Sequence, residues 1–316
     1  VLNAIADTYE MDKHQIIVGN GAAELLYAIC RLPGYTGAFV PAPGFSEYKE
    51  ALEASKIPVR DIFYRPREDD NGKPYFEVPY LALETFAAEL KGQDGRIIVF
   101  LGNPNNPDGT LLDKDHIRTV ASMLKDANSL LVIDESFIDF VGNDPLQDNE
   151  HSIRSLVNEF DNIIVVHSFT KFYAVPGLRI GAAFTNETLI TQLQQYIPSW
   201  SVNTLAQAYT KAALNDVDYI KRTKQELNEE RAFMYNALDA IEGITVYPPS
   251  ANFMLFQVNQ EGITANYINE ELKKYNMIVR NCDSYVGLTN HWVRIAIKDH
   301  DTNIKLVDKL TDILKV

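Results

Sequence analysis

The chain predicts an α/β protein, with a large unit built on a mainly parallel sheet flanked by helices and a smaller α+β unit after it. Three observations predict this. Short apolar runs alternate with amphipathic stretches through the first two thirds, the alternation stops near Ser201, and the residues able to do chemistry cluster just after the apolar runs. Strand alternating with helix implies a parallel sheet covered on both faces. Such sheets collect ligands at the carboxyl ends of their strands.

The expected strands of the large unit are residues 15–19, 38–41, 96–101, 129–134, 162–167 and 179–185, each a short apolar run bounded by turn residues. Between them, residues 22–31, 45–55, 78–90 and 113–125 carry apolar residues at helical spacing. Beyond Ser201, residues 202–214 and 217–240 read as two helices, the second heavily charged on one face. Strands at 245–247, 252–258 and 292–297 and helices at 264–275 and 301–314 complete the smaller unit. The expected division is 1–215 and 216–316, with no repeat, low-complexity tract or long linker.

Composition narrows the class. At 316 residues, 46% hydrophobic and 23% charged, the chain can bury a large core as an ordinary globular protein. Its 29 basic and 43 acidic residues give a net charge of −14, which argues against nucleic acid or an anionic membrane as a general partner. A few arginines can still reverse the field inside a cleft. Cys30 and Cys282 form no C-x-x-C pair, so neither a zinc site nor a disulfide framework is expected. Cys30 reads as a core thiol, and Cys282 lies nearer the chemistry, between Arg280-Asn281 and Asp283. The six histidines give no metal pattern. No signal-peptide pattern and no apolar run of about 18 residues occurs, so a reduced, cytoplasmic setting is the simplest expectation.

Four motifs carry the chemistry. His167-Ser168-Phe169-Thr170-Lys171 follows the apolar run Ile163-Ile164-Val165-Val166 and is itself followed by Pro176-Gly177-Leu178-Arg179. This delivers a hydroxyl, an amine and a guanidinium to one strand end. There the lysine can bond to a carbonyl cofactor while Ser168 and Arg179 hold a phosphate, the layout needed for pyridoxal phosphate. Taken alone, the same spacing also arises by chance on surfaces. Gly19-Asn20-Gly21-Ala22-Ala23-Glu24 lies between a strand and a helix, either as an ordinary turn or as a helix N-terminus whose amides receive an anion. Asn103-Pro104-Asn105-Asn106-Pro107-Asp108-Gly109 holds more asparagine and proline than a turn needs, and Asn106 is the candidate donor to a phenolate oxygen. Leu130-Leu131-Val132-Ile133-Asp134-Glu135 ends a strand in two carboxylates; Asp134 either caps the next helix or pairs with a protonated pyridine nitrogen. Arg294, in an alternating strand, and Arg280, after Met277-Ile278-Val279, are each a snorkelling cation or an anion clamp. His167 reads as a packed residue behind Ser168.

In this order and spacing, these motifs resemble the fold-type I pyridoxal-phosphate aminotransferase superfamily over nearly the whole chain. The resemblance implies a seven-stranded-type large sheet and a homodimer with clefts at the interface. Within the superfamily the chain is similar to histidinol-phosphate aminotransferases and threonine-phosphate decarboxylases. Residues 134–140, 170–179, 199–203 and 280–285 favour the decarboxylases. By this resemblance Lys171 would bond the cofactor and shuttle protons, Asp134 would pair with its ring nitrogen, and Asn106 would hold its ring oxygen. Ser168, Arg179 and the Ala22 and Ala23 amides would hold its phosphate, and Phe45 would stack on its ring. Arg294 would bind the substrate carboxylate and Arg280 the substrate phosphate, with Asn20 and Asn203 near the cleft. Phe137 stands where the aminotransferases usually place a hydrogen-bonding tyrosine. Related chains carry an N-terminal arm ahead of the point where this sequence opens, and that arm adds substrate contacts.

The expected reaction is decarboxylation of L-threonine O-3-phosphate to aminopropanol phosphate, a step of cobalamin synthesis. Its alternative is aminotransfer between histidinol phosphate and 2-oxoglutarate. A non-catalytic pyridoxal-phosphate sensor is the third expectation, and it would need a basic helix-turn-helix that this sequence does not contain.

Overall fold

The computed structural model describes residues 1–90, 95–143, 146 and 149–315. Its strands are β1 (Ile16–Gly19), β2 (Tyr35–Ala42), β3 (Val59–Phe63), β4 (Arg65–Glu68), β5 (Pro74–Glu77), β6 (Arg96–Gly102), β7 (Leu130–Asp134), β8 (Ile163–Ser168), β9 (Gly181–Phe184), β10 (Ile244–Val246), β11 (Phe253–Val258), β12 (Arg280–Asn281) and β13 (Trp292–Ala296). The helices are α1 (Leu2–Tyr9), α2 (Ala22–Cys30), α3 (Glu47–Ala54), α4 (Tyr80–Leu90), α5 (Lys114–Asp126), α6 (Phe169–Phe172), α7 (Glu187–Leu193), α8 (Thr204–Leu214), α9 (Val217–Asp239), α10 (Ala265–Lys273) and α11 (His300–Leu314).

The large sheet has seven strands in the order β1-β9-β8-β7-β6-β2-β3. Strands β3, β2, β6, β7 and β8 are mutually parallel, and β9 runs antiparallel to both β8 and β1. Every residue of β7 and β8 is buried, as expected of central strands covered on both faces. Alternation divides the side chains of β6, β7 and β8. Val99, Leu101, Leu131, Ile133, Ile163 and Val165 face one apolar core, while Ile98, Phe100, Leu130, Val132, Ile164 and Val166 face a second core with α2 and α3. A four-stranded antiparallel sheet, β10-β11-β13-β12, forms the smaller unit, and β4 pairs with β5 in a separate hairpin.

The predicted elements form with small shifts at their ends. The strand expected over 179–185 starts at Gly181 because Arg179 adopts a left-handed φ of 58°. The helix expected from residue 45 starts at Glu47. Strand β3, the β4–β5 hairpin and the two-residue β12 were not anticipated. β3 lies at a sheet edge and β4 is exposed throughout, so neither shows the apolar run of a buried strand. Both cysteines are buried and free, and burial pushes their thiols up, Cys30 to about 12 and Cys282 to about 11. Among the described residues no helix is long and apolar enough to cross a membrane, and no His/Cys/Asp/Glu group could hold a metal.

Candidate active site

The parallel strands point their carboxyl ends at one edge of the sheet, and the reversed β9 brings its amino end to the same edge. This arrangement gathers Gly21 and α2 after β1, Phe45 after β2, Asn106 after β6, Asp134 at the end of β7, Ser168 and Lys171 after β8, and Arg179 before β9. Phe45, Asn106, Asp134 and Lys171 line one narrow cavity with Tyr48, Pro104, Ser136 and Phe137.

Asp134 forms the cavity floor with its carboxylate held at both oxygens. Ser136 donates to Oδ1 through its amide at 2.9 Å and its hydroxyl at 2.6 Å, and the buried Tyr48 hydroxyl donates to Oδ2 at 2.9 Å. Tyr48 stacks on Phe100, 5.2 Å between centroids, and meets Phe45 edge-on at 5.7 Å. Burial, and then the negative Asp134 beside it, push the Tyr48 hydroxyl well above its ordinary pKa, so it stays a donor. The neighbouring Glu135 is occupied structurally by Asn103 Nδ2 at 3.1 Å, Ser152 Oγ at 2.7 Å and the Ile153 amide at 2.5 Å.

The asparagine-rich loop divides its work. Asn103 also ties to the His151 carbonyl and the Leu112 amide, and Asn105 ties to the Pro43 carbonyl and Asp108. With those two committed to the loop itself, Asn106 faces the cleft. Its Oδ1 accepts from Arg294 Nη1 and from the Tyr285 hydroxyl at 3.1 Å, which leaves the amide NH2 as the end able to donate to a ligand.

Lys171 opens toward the cleft, its amine 4.6 Å from the Phe137 ring centroid. Desolvation by the surrounding protein lowers the amine's pKa, Asp134 opposes that, and Arg294 and Arg179 add to the lowering. A neutral amine is the form that attacks a carbonyl, so this environment suits a nucleophile.

A second group of donors gathers at the same sheet edge. Like α1, α3 and α6, α2 has no side-chain cap; it begins at Gly21 on this same sheet edge, which leaves the Ala22 and Ala23 amides able to donate to a ligand. Gly21 has φ +83°, and a Cβ there would collide with the Arg179 guanidinium. A Cβ on Gly181 would come within 2.6 Å of the Ala22 amide nitrogen. Gly21 therefore lets the Arg179 guanidinium close on the helix end, and Gly181 lets β9 pack against it. Ser168 is buried here, its hydroxyl 2.8 Å from that of Thr170. A dianionic phosphate fits this donor set, as the pyridine nitrogen of the same cofactor fits the Asp134 floor.

Strands β12 and β13 place Arg280 directly opposite Arg294. Cross-strand neighbours share a face, and like charges so placed repel. Among the described residues neither arginine has a carboxylate partner. Arg280 donates to Ser284 Oγ at 3.1 Å, and Arg294 reaches across to Asn106 with the Phe253 ring 5.4 Å away.

Two expected site residues do not join this group. Asn203 accepts from the Ala206 amide at 2.8 Å as the cap of α8 and donates to the Leu178 carbonyl at 3.0 Å, so its amide ties α8 to the loop ahead of Arg179. Asn20 lies on the exposed turn before α2, its backbone N–H closed onto Glu24 at 2.6 Å. Tyr48, Ser136 and Tyr285 were not singled out from the sequence. Tyr48 follows the Pro43-Gly44-Phe45 turn and Ser136 follows Asp134 by two positions, and those adjacencies were the available signals. His167 is packed behind the site as expected, its Nε2 3.0 Å from Asp139 Oδ2 and 3.1 Å from the Tyr9 hydroxyl.

Residues 1–310 match the model of the aminotransferase class I and II family, and the chain belongs to that family, whose cofactor is pyridoxal phosphate. It is 32% identical over 310 residues to an adenosylcobalamin biosynthesis bifunctional protein of Leptospira interrogans, covering 98% of this chain but 34% of that protein. It is 31% identical to a threonine-phosphate decarboxylase of Salmonella typhimurium, covering 98% of this chain and 80% of the relative. Among solved structures, the histidinol-phosphate aminotransferase of Clostridium acetobutylicum superposes with a TM-score of 0.87 at 26% identity, covering 99% of this chain and 88% of that one.

Proposed function

We propose that this chain decarboxylates L-threonine O-3-phosphate, releasing carbon dioxide and aminopropanol phosphate, and that it serves cobalamin synthesis. The observation that carries the reading is the Arg280–Arg294 pair. Two arginines at directly opposed positions of β12 and β13, neither with a carboxylate partner among the described residues, favour a substrate with two anionic groups on a short skeleton, as threonine phosphate has in its phosphate and carboxylate. The threonine-phosphate decarboxylase of Salmonella typhimurium supports the same reading by sequence.

Pyridoxal phosphate, when bound, withdraws electrons from the substrate Cα and weakens whichever bond there stands perpendicular to its ring. The chain's own residues do the rest. Ser168, Arg179 and the Ala22 and Ala23 amides would hold the cofactor phosphate, Asp134 its protonated ring nitrogen and Asn106 its ring oxygen. Phe45 would cover the ring. Arg280 would fix the substrate phosphate and Arg294 the carboxylate, turning the Cα–carboxylate bond to the reacting position. Lys171 would return a proton to Cα after carbon dioxide leaves, so one C–C bond breaks, one C–H bond forms and no oxidant is needed. The carboxylate loses its charge as it departs, so a looser clamp at Arg294 than at Arg280 serves the step.

Aminotransfer from histidinol phosphate is the second reading, favoured by the Clostridium structure. Arg280→Gln separates the roles. It is expected to raise the KM for threonine phosphate about 10- to 100-fold, the worth of charge-assisted hydrogen bonds, while leaving weak turnover of unphosphorylated threonine unchanged. Steady-state kinetics on both substrates check it, and equal losses on the two would contradict a phosphate role for Arg280.

A further inference from the structure

The two arginines belong to the four-stranded sheet, whereas the groups assigned to the cofactor belong to the seven-stranded one. Their alignment therefore depends on what sets one sheet against the other. Part of that seam is polar. Arg294 and Tyr285 meet Asn106, and the Ser250 hydroxyl donates to the Gly109 carbonyl. Its apolar part includes Phe137 edge-on to Phe253 of β11, 5.0 Å between centroids, and the β4–β5 hairpin, which belongs to neither sheet.

The hairpin is exposed along β4, and on β5 a single residue, Phe76, is fully buried. Its ring lies 5.0 Å from Tyr247 and 5.5 Å from Trp292, and those two lie 5.3 Å from each other, all centroid to centroid. This closed aromatic trio is 4–5% exposed. Trp292 is the first residue of β13, two positions before Arg294 and therefore on the same face of the strand. Its carbonyl accepts the Cys282 amide at 3.0 Å, which ties it to the segment two residues after Arg280. Trp292 is thus tied through its backbone to the segment after β12 and through its indole to Phe76.

We propose that Phe76 is a positioning residue for the anion-binding arginines: it seats Trp292, and through Trp292 sets Arg280 and Arg294 against the cleft. This rests on the reading of that arginine pair as an anion site. Removing the ring leaves a void under Trp292 and Tyr247, into which β13 settles. The α2 amides, Ser168, Asp134 and Lys171 belong to the seven-stranded sheet and the helices that follow its strands. The expected signature is therefore loss of anion affinity without loss of cofactor affinity.

The chain supplies its own reporter. It has two tryptophans, Trp292 at the seam and Trp200, which is 96% exposed. In the pyridoxal-phosphate-loaded Trp200→Phe protein, Trp292 is the sole indole, and its emission is expected to change saturably on titration with inorganic phosphate. Adding Phe76→Ala is expected to raise the half-saturating phosphate concentration about tenfold, while pyridoxal phosphate affinity, followed by absorbance, stays within about twofold. Phe76→Leu, which keeps most of the apolar bulk and safeguards folding, is expected to raise it about threefold. Half-saturation unchanged in both variants would overturn the proposal, as would a parallel loss of cofactor affinity, since general loosening moves both. Arg280→Gln in the same background is expected to abolish the phosphate response. Persistence of that response would instead overturn the anion-site reading, so the two failures are told apart.

Discussion

Lys171→Ala is expected to lower turnover of threonine phosphate by about 10³-fold or more, because on the proposed reading it would remove both the amine that bonds the cofactor and the group that returns a proton to Cα. A second readout does not depend on turnover. After borohydride treatment the parent protein should gain the mass of one reduced cofactor at Lys171, and the variant should gain none. The environment of the amine also fixes a pH dependence. Desolvation lowers its pKa against the pull of Asp134, with Arg294 and Arg179 assisting. The sign follows from the attacking species, which is the neutral amine. Cofactor capture by the apoprotein should therefore rise with pH and level off below the 10.5 of an ordinary lysine. Arg294→Gln removes one of the lowering influences and should shift that rise to higher pH. A mass gain retained in Lys171→Ala would place the covalent bond elsewhere.

Asp134→Asn isolates a charge from a shape. The Ser136 amide and hydroxyl can still donate to the retained Oδ1, and the Tyr48 hydroxyl can accept from the new amide where it formerly donated to Oδ2. The cavity keeps its form and loses the negative charge that would hold a pyridine nitrogen protonated. The expected loss is about 10²- to 10³-fold in kcat, the scale of removing one preorganised electrostatic partner. Circular dichroism of the bound cofactor should show it still seated. An undiminished kcat would mean that Asp134 only anchors the turn after β7.

Where the sequence was legible, the chemistry followed a buried strand. Asp134, Ser168 and Lys171 stand at the ends of β7 and β8, whose unbroken apolar runs announce central strands and therefore a shared sheet edge. Gly21 was legible for a similar reason, since a glycine between strand and helix points to a helix end that needs a left-handed turn. What was not legible depended on pairs distant in the chain. The bond from Tyr48 to Asp134 spans 86 positions and that from Arg294 to Asn106 spans 188, and no local pattern encodes either. Phe76 sits in a polar stretch whose hairpin shows no apolar run, so its burial appears only once the four-stranded sheet is in place. Asn203 is the instructive exception. The expected helix over 202–214 enclosed it, whereas α8 starts at Thr204 and Asn203 is its cap, a position asparagine favours.

The most direct test of the account is carbon dioxide release from L-threonine O-3-phosphate by the pyridoxal-phosphate-loaded protein with no keto acid present. Steady release over many turnovers is expected, one carbon dioxide for each aminopropanol phosphate formed, unaffected by 2-oxoglutarate. No carbon dioxide, with turnover of histidinol phosphate that requires 2-oxoglutarate, would contradict it and make the chain an aminotransferase.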